Sequence, residues 1–232
     1  MGASLGVALA RHGAHIAHSY AHSRAAAEAA VLSVTATGRA SIAICADLET
    51  PAACQTLIDD VVAWRGRLDV LLCLASVYRK VSLDALTPEE WRSQLAIDLD
   101  ASFHCARAAA LHMRRAGSVG HILLCSDWVA ASGRPRYTGF LSYYVAKAGV
   151  VALTEALALE LAPDGIQVNA LAPGPILPAA GTTEENQAAV IKATPLGHWG
   201  GPDAVTHAVL GLLEQDWVTG QTIRVDGGRH LL

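Results

Sequence analysis

Short, nearly continuous apolar runs recur along the chain at wide intervals: His15–Tyr20, Ser41–Leu48, Asp69–Ser76, His121–Asp127, Ile166–Leu171 and Gln221–Val225. Each has the length of a strand, and apolar residues at successive rather than alternate positions are what a strand buried on both faces carries. Longer segments of helical character separate them: Ala25–Thr35, Pro51–Arg65, Pro88–Arg115, Ser142–Leu161 and Pro202–Glu214. Thr87-Pro88-Glu89-Glu90 supplies an N-cap, a proline at the first helical position and an acidic first turn. Strand and helix alternate throughout, which predicts an α/β fold, a doubly wound parallel sheet with helices on both faces.

The pattern departs from this scheme at its beginning. The chain opens on a helix, roughly Gly2 to His12, closed by Gly13, and only then reaches a strand. In a doubly wound sheet such a helix follows a strand, and the turn between them holds the glycines that cradle a dinucleotide pyrophosphate. The first strand is therefore expected to be missing from the sheet, leaving unpaired backbone on its two neighbours.

Composition narrows the picture. With 232 residues, of which 52% are hydrophobic and 16% charged, the chain is expected to form one domain spanning 1–232. A net charge of -4 with no run of Lys or Arg argues against nucleic acid as a partner. No stretch reaches the ~20 apolar residues of a membrane span, and no signal peptide is evident, so a cytoplasmic location is expected. The five cysteines include no C-x-x-C pair, and Cys45, Cys73 and Cys125 lie within apolar runs, as free buried thiols do. Four histidines, His12, His15, His18 and His22, crowd the first strand. His15 and His18 are an odd number of residues apart and face opposite sides of a strand, so no metal site is expected.

Candidate chemistry centres on Ser142-Tyr143-Tyr144-Val145-Ala146-Lys147 at the start of a helix, where Tyr143 and Lys147 stand one turn apart on one face. An ammonium there favours the phenolate and would lower the tyrosine pKa toward a value useful for proton exchange. The wider context is Tyr143 to Gly149, Glu160-Leu161-Ala162-Pro163, Ile166-Gln167-Val168-Asn169-Ala170, Pro173-Gly174-Pro175 and Val225-Asp226-Gly227-Gly228, preceded by Ala46-Asp47-Leu48. In order and spacing this resembles the short-chain dehydrogenase/reductase family over essentially the whole chain.

The resemblance implies a Rossmann-like fold and an oxidoreductase acting on a small-molecule carbonyl or imine. Tyr143 would be the acid/base, and Lys147 would lower its pKa and hold the nicotinamide ribose. Asp47, with Leu48 and Ala75, would sit near the adenosine half of the cofactor, unless Asp47 is a simple turn cap. Pro173-Gly174, with Ile176, would close over the nicotinamide, and Gly2 matches the last glycine of the dinucleotide turn. Asp127 stands where the family usually has serine, beside Ser126; this looks like the pteridine-reductase-like branch, although Asp127 could equally be a strand-end cap. Asp98 replaces the family's helix asparagine and brings a charge near Lys147. No acidic residue follows the first visible strand, and His22, Ser23 and Arg24 could receive a 2′-phosphate, which favours NADP over NAD. Arg24 could instead be a solvated first-turn side chain. The segment from Leu177 to Pro195 is expected to cover the substrate pocket, and the long helices to pair with copies of themselves in a homodimer or homotetramer. The alternative is a non-catalytic binding or oligomerisation module that has lost dinucleotide binding.

Overall fold

A computed structural model describes residues 1–179 and 181–232. The elements in order are α1 (Gly2–Arg11), β1 (Ile16–Tyr20), α2 (Arg24–Thr35), β2 (Ser41–Cys45), α3 (Pro51–Arg65), β3 (Val70–Leu72), α4 (Pro88–Leu95), α5 (Ala101–Ala116), β4 (Gly120–Cys125), α6 (Trp128–Ala131), α7 (Leu141–Leu161), β5 (Ile166–Pro173), α8 (Glu184–Lys192), α9 (Gly201–Leu213) and β6 (Thr222–Val225). The alternation read from the sequence is present, and every strand pairing is parallel.

The pairings form two sheets, β1-β2 and β3-β4-β5-β6. β1 gives its Ile16 N–H to Ala40 and its Tyr20 carbonyl to Ala46, so residues 16, 18 and 20 face β2 while Ala17 and Ser19 turn their backbone groups the other way. β3 is tied to β4 through the Asp69 carbonyl and the Cys73 N–H, which leaves Val70 and Leu72 facing away. Neither set has a ladder partner among the described residues.

Helices cover the larger sheet on both faces, and those on one face also hold the smaller sheet. On one face, Leu5 and Leu9 of α1 share a core with Val205 and Val209 of α9, Leu123 and Leu171 of the larger sheet, and Ile16 of β1. On the other, Ile122, Leu124, Val168 and Ala170 point into a core with α5 and α7. The parity of β4 is thus read by two cores, with Leu123 on one side and Ile122 and Leu124 on the other, as a doubly covered strand requires. Gly6 lets α1 lie against β1, because a methyl group there would stand 2.6 Å from Cε1 of His18. Gly174 allows β5 and the end of β6 to meet, since a methyl group would lie 2.7 Å from the Asp226 Cα.

Three sequence expectations are corrected. The single helix over Pro88–Arg115 is interrupted by a π-helical turn at Ala96–Asp100. Its start is as read: the Thr87 hydroxyl accepts from the Glu90 N–H at 3.2 Å and the Glu90 carboxylate accepts from the Thr87 N–H at 3.1 Å. The strand over Asp69–Ser76 shortens to Val70–Leu72, which pairs on one side alone. The Leu177–Pro195 segment contains α8, capped by Thr183.

The backbone directions in β1 predict an alternating exchange pattern. In hydrogen exchange followed residue by residue, the amides of Ala17 and Ser19 exchange markedly faster than those of His18 and Tyr20. Equal protection of all four would mean that β1 is paired on both sides.

Candidate active site

The site is assembled where β4 ends. Ser126 is buried directly after that strand, and its hydroxyl donates to the Lys147 carbonyl at 2.8 Å, fixing the first turns of α7 against the strand end. In return the Lys147 ammonium donates to the Cys125 carbonyl at 2.9 Å. The same ammonium lies 3.1 Å from the Asp98 carboxylate, and the two side chains are 2% and 0% exposed. Lys147 is therefore a charged group in the core whose charge is met by one carboxylate.

Asp98 reaches that position because the π turn swings it inward. All four of its partners donate: the Ser76 hydroxyl and Lys147 to one oxygen, the Val77 N–H at 3.1 Å and the Gln94 amide to the other. An asparagine could not face four donors, because its NH₂ would be turned toward at least one of them. The carboxylate is thus the side chain that satisfies this cluster. The substitution that reads as a departure in the sequence is chemically matched by its neighbours. Gln94 also donates to the Val77 carbonyl at 2.6 Å, tying α4 to the chain beyond β3.

Above this cluster stands an acid pair. The Tyr143 hydroxyl donates to Asp127 at 3.2 Å, and Lys147 lies 5.7 Å from the centre of the Tyr143 ring. The other oxygen of Asp127 accepts from the Val129 N–H at 2.7 Å and caps α6, so the strand-end cap and the site residue are the same side chain. Burial raises the Asp127 pKa, although the Val129 N–H and the Tyr143 hydroxyl pull the other way. Tyr143 is raised as well, first by burial and then by the Asp127 charge. The Lys147 ammonium is paired with Asp98, and burial is the leading cause of the upward shift at Tyr143. The thiols beneath are inert, with Cys73 pushed up to about 12 by burial.

The residues read as cofactor-binding all follow strand C-termini or lie at that edge of the sheets. His22, Ser23 and Arg24 follow β1, Asp47 and Leu48 follow β2, and Ala75 follows β3. Pro173, Gly174 and Ile176 mark the end of β5, while Gly2 starts α1 close to Leu74. In open α/β sheets this is the edge at which ligands bind. Two local details differ from the functional reading. Arg24 is salt-bridged to Glu28 at 2.8 Å in the open, and Asp47 accepts from the Glu49 N–H at 3.2 Å as a turn cap. Tyr143 with Asp127 and Lys147 with Asp98 form two bonded pairs, brought together by the 5.7 Å approach of the Lys147 ammonium to the Tyr143 ring centre.

A cavity of about 670 Å³ opens onto Tyr143 and Asp127. Among the described residues its walls come from Tyr78 and Lys80–Leu83, from Trp128–Ala130 and from Pro135–Leu141 with the start of α7, rather than from Leu177–Pro195. Tyr78 stacks on Phe140 with centroids 4.4 Å apart and meets Tyr143 edge-on at 4.9 Å. The sequence reading passed over Tyr78, Phe140, Ser76 and Gln94. Only Gln94 carried a local signal, being one helical turn before Asp98.

A family profile described as "Enoyl-(Acyl carrier protein) reductase" matches residues 1–230. The 3-oxoacyl-(acyl-carrier-protein) reductase FabG of Staphylococcus aureus is 34% identical, over 100% of this chain and 94% of its own length. A short-chain dehydrogenase/reductase structure from Serratia marcescens superimposes with a TM-score of 0.90 at 29% identity, covering 99% of this chain and 93% of that one. The chain belongs to the short-chain dehydrogenase/reductase family. Acetoin dehydrogenase from Enterobacter cloacae is another structural relative, with a TM-score of 0.89 and 31% identity over 99% of this chain and 91% of its own. As a short-chain dehydrogenase/reductase the protein is an oxidoreductase, and no described helix is long and apolar enough to cross a membrane.

Two outcomes follow from the electrostatics of this site. Asp98→Asn lowers stability in urea denaturation by on the order of 3 kcal/mol, even though it restores the residue the resemblance leads one to expect. Asp127→Asn keeps the cap and removes a carboxylate whose folded pKa lies above its unfolded value. Stability contributed by such a group is present below the unfolded pKa and lost as pH rises through the folded one. Relative to the unsubstituted protein, the variant therefore gains stability on going from pH 4 to pH 8, and an unchanged difference across that range would show that the carboxyl is not perturbed.

Proposed function

We propose that the protein is an NADP-dependent reductase that converts a small-molecule carbonyl to an alcohol. The observation that carries this reading is the network Asp98–Lys147 beneath Tyr143–Asp127, open to a cavity of substrate size. The residues present fit a dinucleotide. Lys147 has spent two of its three N–H bonds on Asp98 and Cys125, and the third is free for a ribose hydroxyl. The first-turn amides of α1 at Gly2 would take the pyrophosphate, and Ser23, His22 and Arg24 the 2′-phosphate, with Arg24 exchanging its solvent-exposed partner Glu28. Leu48, Asp47 and Ala75 would flank the adenosine, and Pro173, Gly174 and Ile176 the nicotinamide.

The reduced nicotinamide would supply the hydride. Tyr143 holds its proton because it is buried beside Asp127, and it donates that proton to the substrate oxygen as charge develops there. Lys147 then faces the resulting phenolate from across the ring, and Asp98 keeps the lysine in place. Asp127 orients the hydroxyl through its hydrogen bond.

The raised pKa of Asp127 favours a second substrate reading, a pterin-like imine, in which the carboxyl itself delivers the proton to nitrogen. The two-sheet split favours a different one, a binding or oligomerisation module that has lost the dinucleotide. In either case Phe103 on α5 and Leu159 on α7, both exposed, suit a homodimer or homotetramer through these helices.

Fluorescence titration with NADPH and NADH separates these readings. Saturable binding with NADPH preferred, a preference that Arg24→Ala abolishes, is the expected result. Tyr143→Phe then retains binding and loses ~10²–10⁴-fold in turnover. A folded protein that binds neither nucleotide is the module and not the reductase.

A further inference from the structure

The cavity over the acid pair is more than a generic apolar cleft. Six aromatic residues line it: the Tyr78–Phe140 stack, Tyr143 edge-on to Tyr78, Tyr144, and Trp128 with Tyr137, whose ring centres are 6.4 Å apart at 71°. Tyr78 and Tyr137 leave 59% and 47% of their surface open although they belong to this packed group. Large exposed aromatic surface facing a cavity is what a bound apolar group covers.

Arg136 in the cavity wall is partly engaged by protein groups. Arg136 lies 5.3 Å over the Trp128 ring and donates to the carbonyls of His230 and Leu232. Lys80 runs its stem along the backbone at Gly139, where an added methyl group would stand 2.9 Å from its Cγ. The carboxyl lining the cavity, Asp127, is bonded to Tyr143 and Val129.

We propose that this site selects an aryl ketone, its ring held among Tyr78, Phe140, Tyr137 and Trp128 and its carbonyl at the Tyr143 hydroxyl. The proposal rests on the reductase reading and specifies its substrate class. Edge-to-face and offset-stacked contacts reward a flat ring with a quadrupole, which an alkyl chain or a thioester lacks. In the reaction the carbonyl carbon gains hydride from NADPH and the oxygen gains the Tyr143 proton, giving a secondary alcohol and the oxidised nucleotide.

The test uses the full chain with NADPH, comparing acetophenone and acetylnaphthalene with butanone and an acetoacetyl thioester, and repeats the comparison in Tyr78→Ala and Tyr78→Phe. In parallel, calorimetry measures binding of the unreactive alcohol naphthylethanol to the NADP-loaded and free protein. The expected result is a kcat/KM higher for the aryl ketones, a ratio to butanone that falls about five- to tenfold in Tyr78→Ala, and its recovery in Tyr78→Phe. Equal or better reduction of butanone or the thioester overturns the substrate class and leaves the reductase reading intact. No reduction of any carbonyl, with naphthylethanol binding that depends on Tyr78, sinks the reductase reading and keeps the aryl specificity of the cavity. Neither reduction nor binding overturns both.

Discussion

Lys147 is almost wholly excluded from water, and the carboxylate that meets its charge is more deeply buried still. Two such groups cost several kcal/mol each to desolvate, so they persist only where geometry and hydrogen bonding compensate them fully. The rest of the structure is arranged to that end. The π turn delivers Asp98, and Ser76, Val77 and Gln94 fill its remaining acceptor positions. The end of β4 supplies a carbonyl to the ammonium and a serine to the helix that bears it. Four segments distant in sequence are thereby locked to one point, and Tyr143 is held one turn away from that point on the same helix.

That locked point sits at the C-terminal edge of the sheets, where the fold also gathers the candidate cofactor residues. Among the described residues the two sheets have no ladder between them, yet α1 and α9 form a core that spans both, with Ile16 of β1 and Leu123 of β4 in one cluster. Site geometry consequently depends on helix packing as much as on strand pairing. The acid pair lies over the larger sheet, on the side of the molecule where the ladder is continuous from β3 to β6.

Asp127 combines two roles that pull its ionisation in opposite directions. As the cap of α6 it is favoured as a carboxylate, whereas burial beside Tyr143 favours the neutral acid. The compromise leaves a buried, hydrogen-bonded pair of Tyr143 and Asp127 above a compensated lysine. A buried group of this kind is tolerated at a functional site because its cost is offset elsewhere in the fold.

The sequence by itself determined the parallel α/β class, the places of all six strands, the Thr87 cap and the pairing of Tyr143 with Lys147 on one helical face. These are local consequences of periodicity and of residue chemistry within a few positions, and they do not depend on what packs against them. Only the tertiary structure decided that Asp98 is the matched partner of Lys147, and that Tyr78 and Phe140 rather than the segment around α8 wall the cavity. Charge compensation, desolvation and ring stacking join residues tens of positions apart, as between Ser76, Asp98 and Lys147. Their signs and partners are fixed by distance in space, which no window along the chain contains.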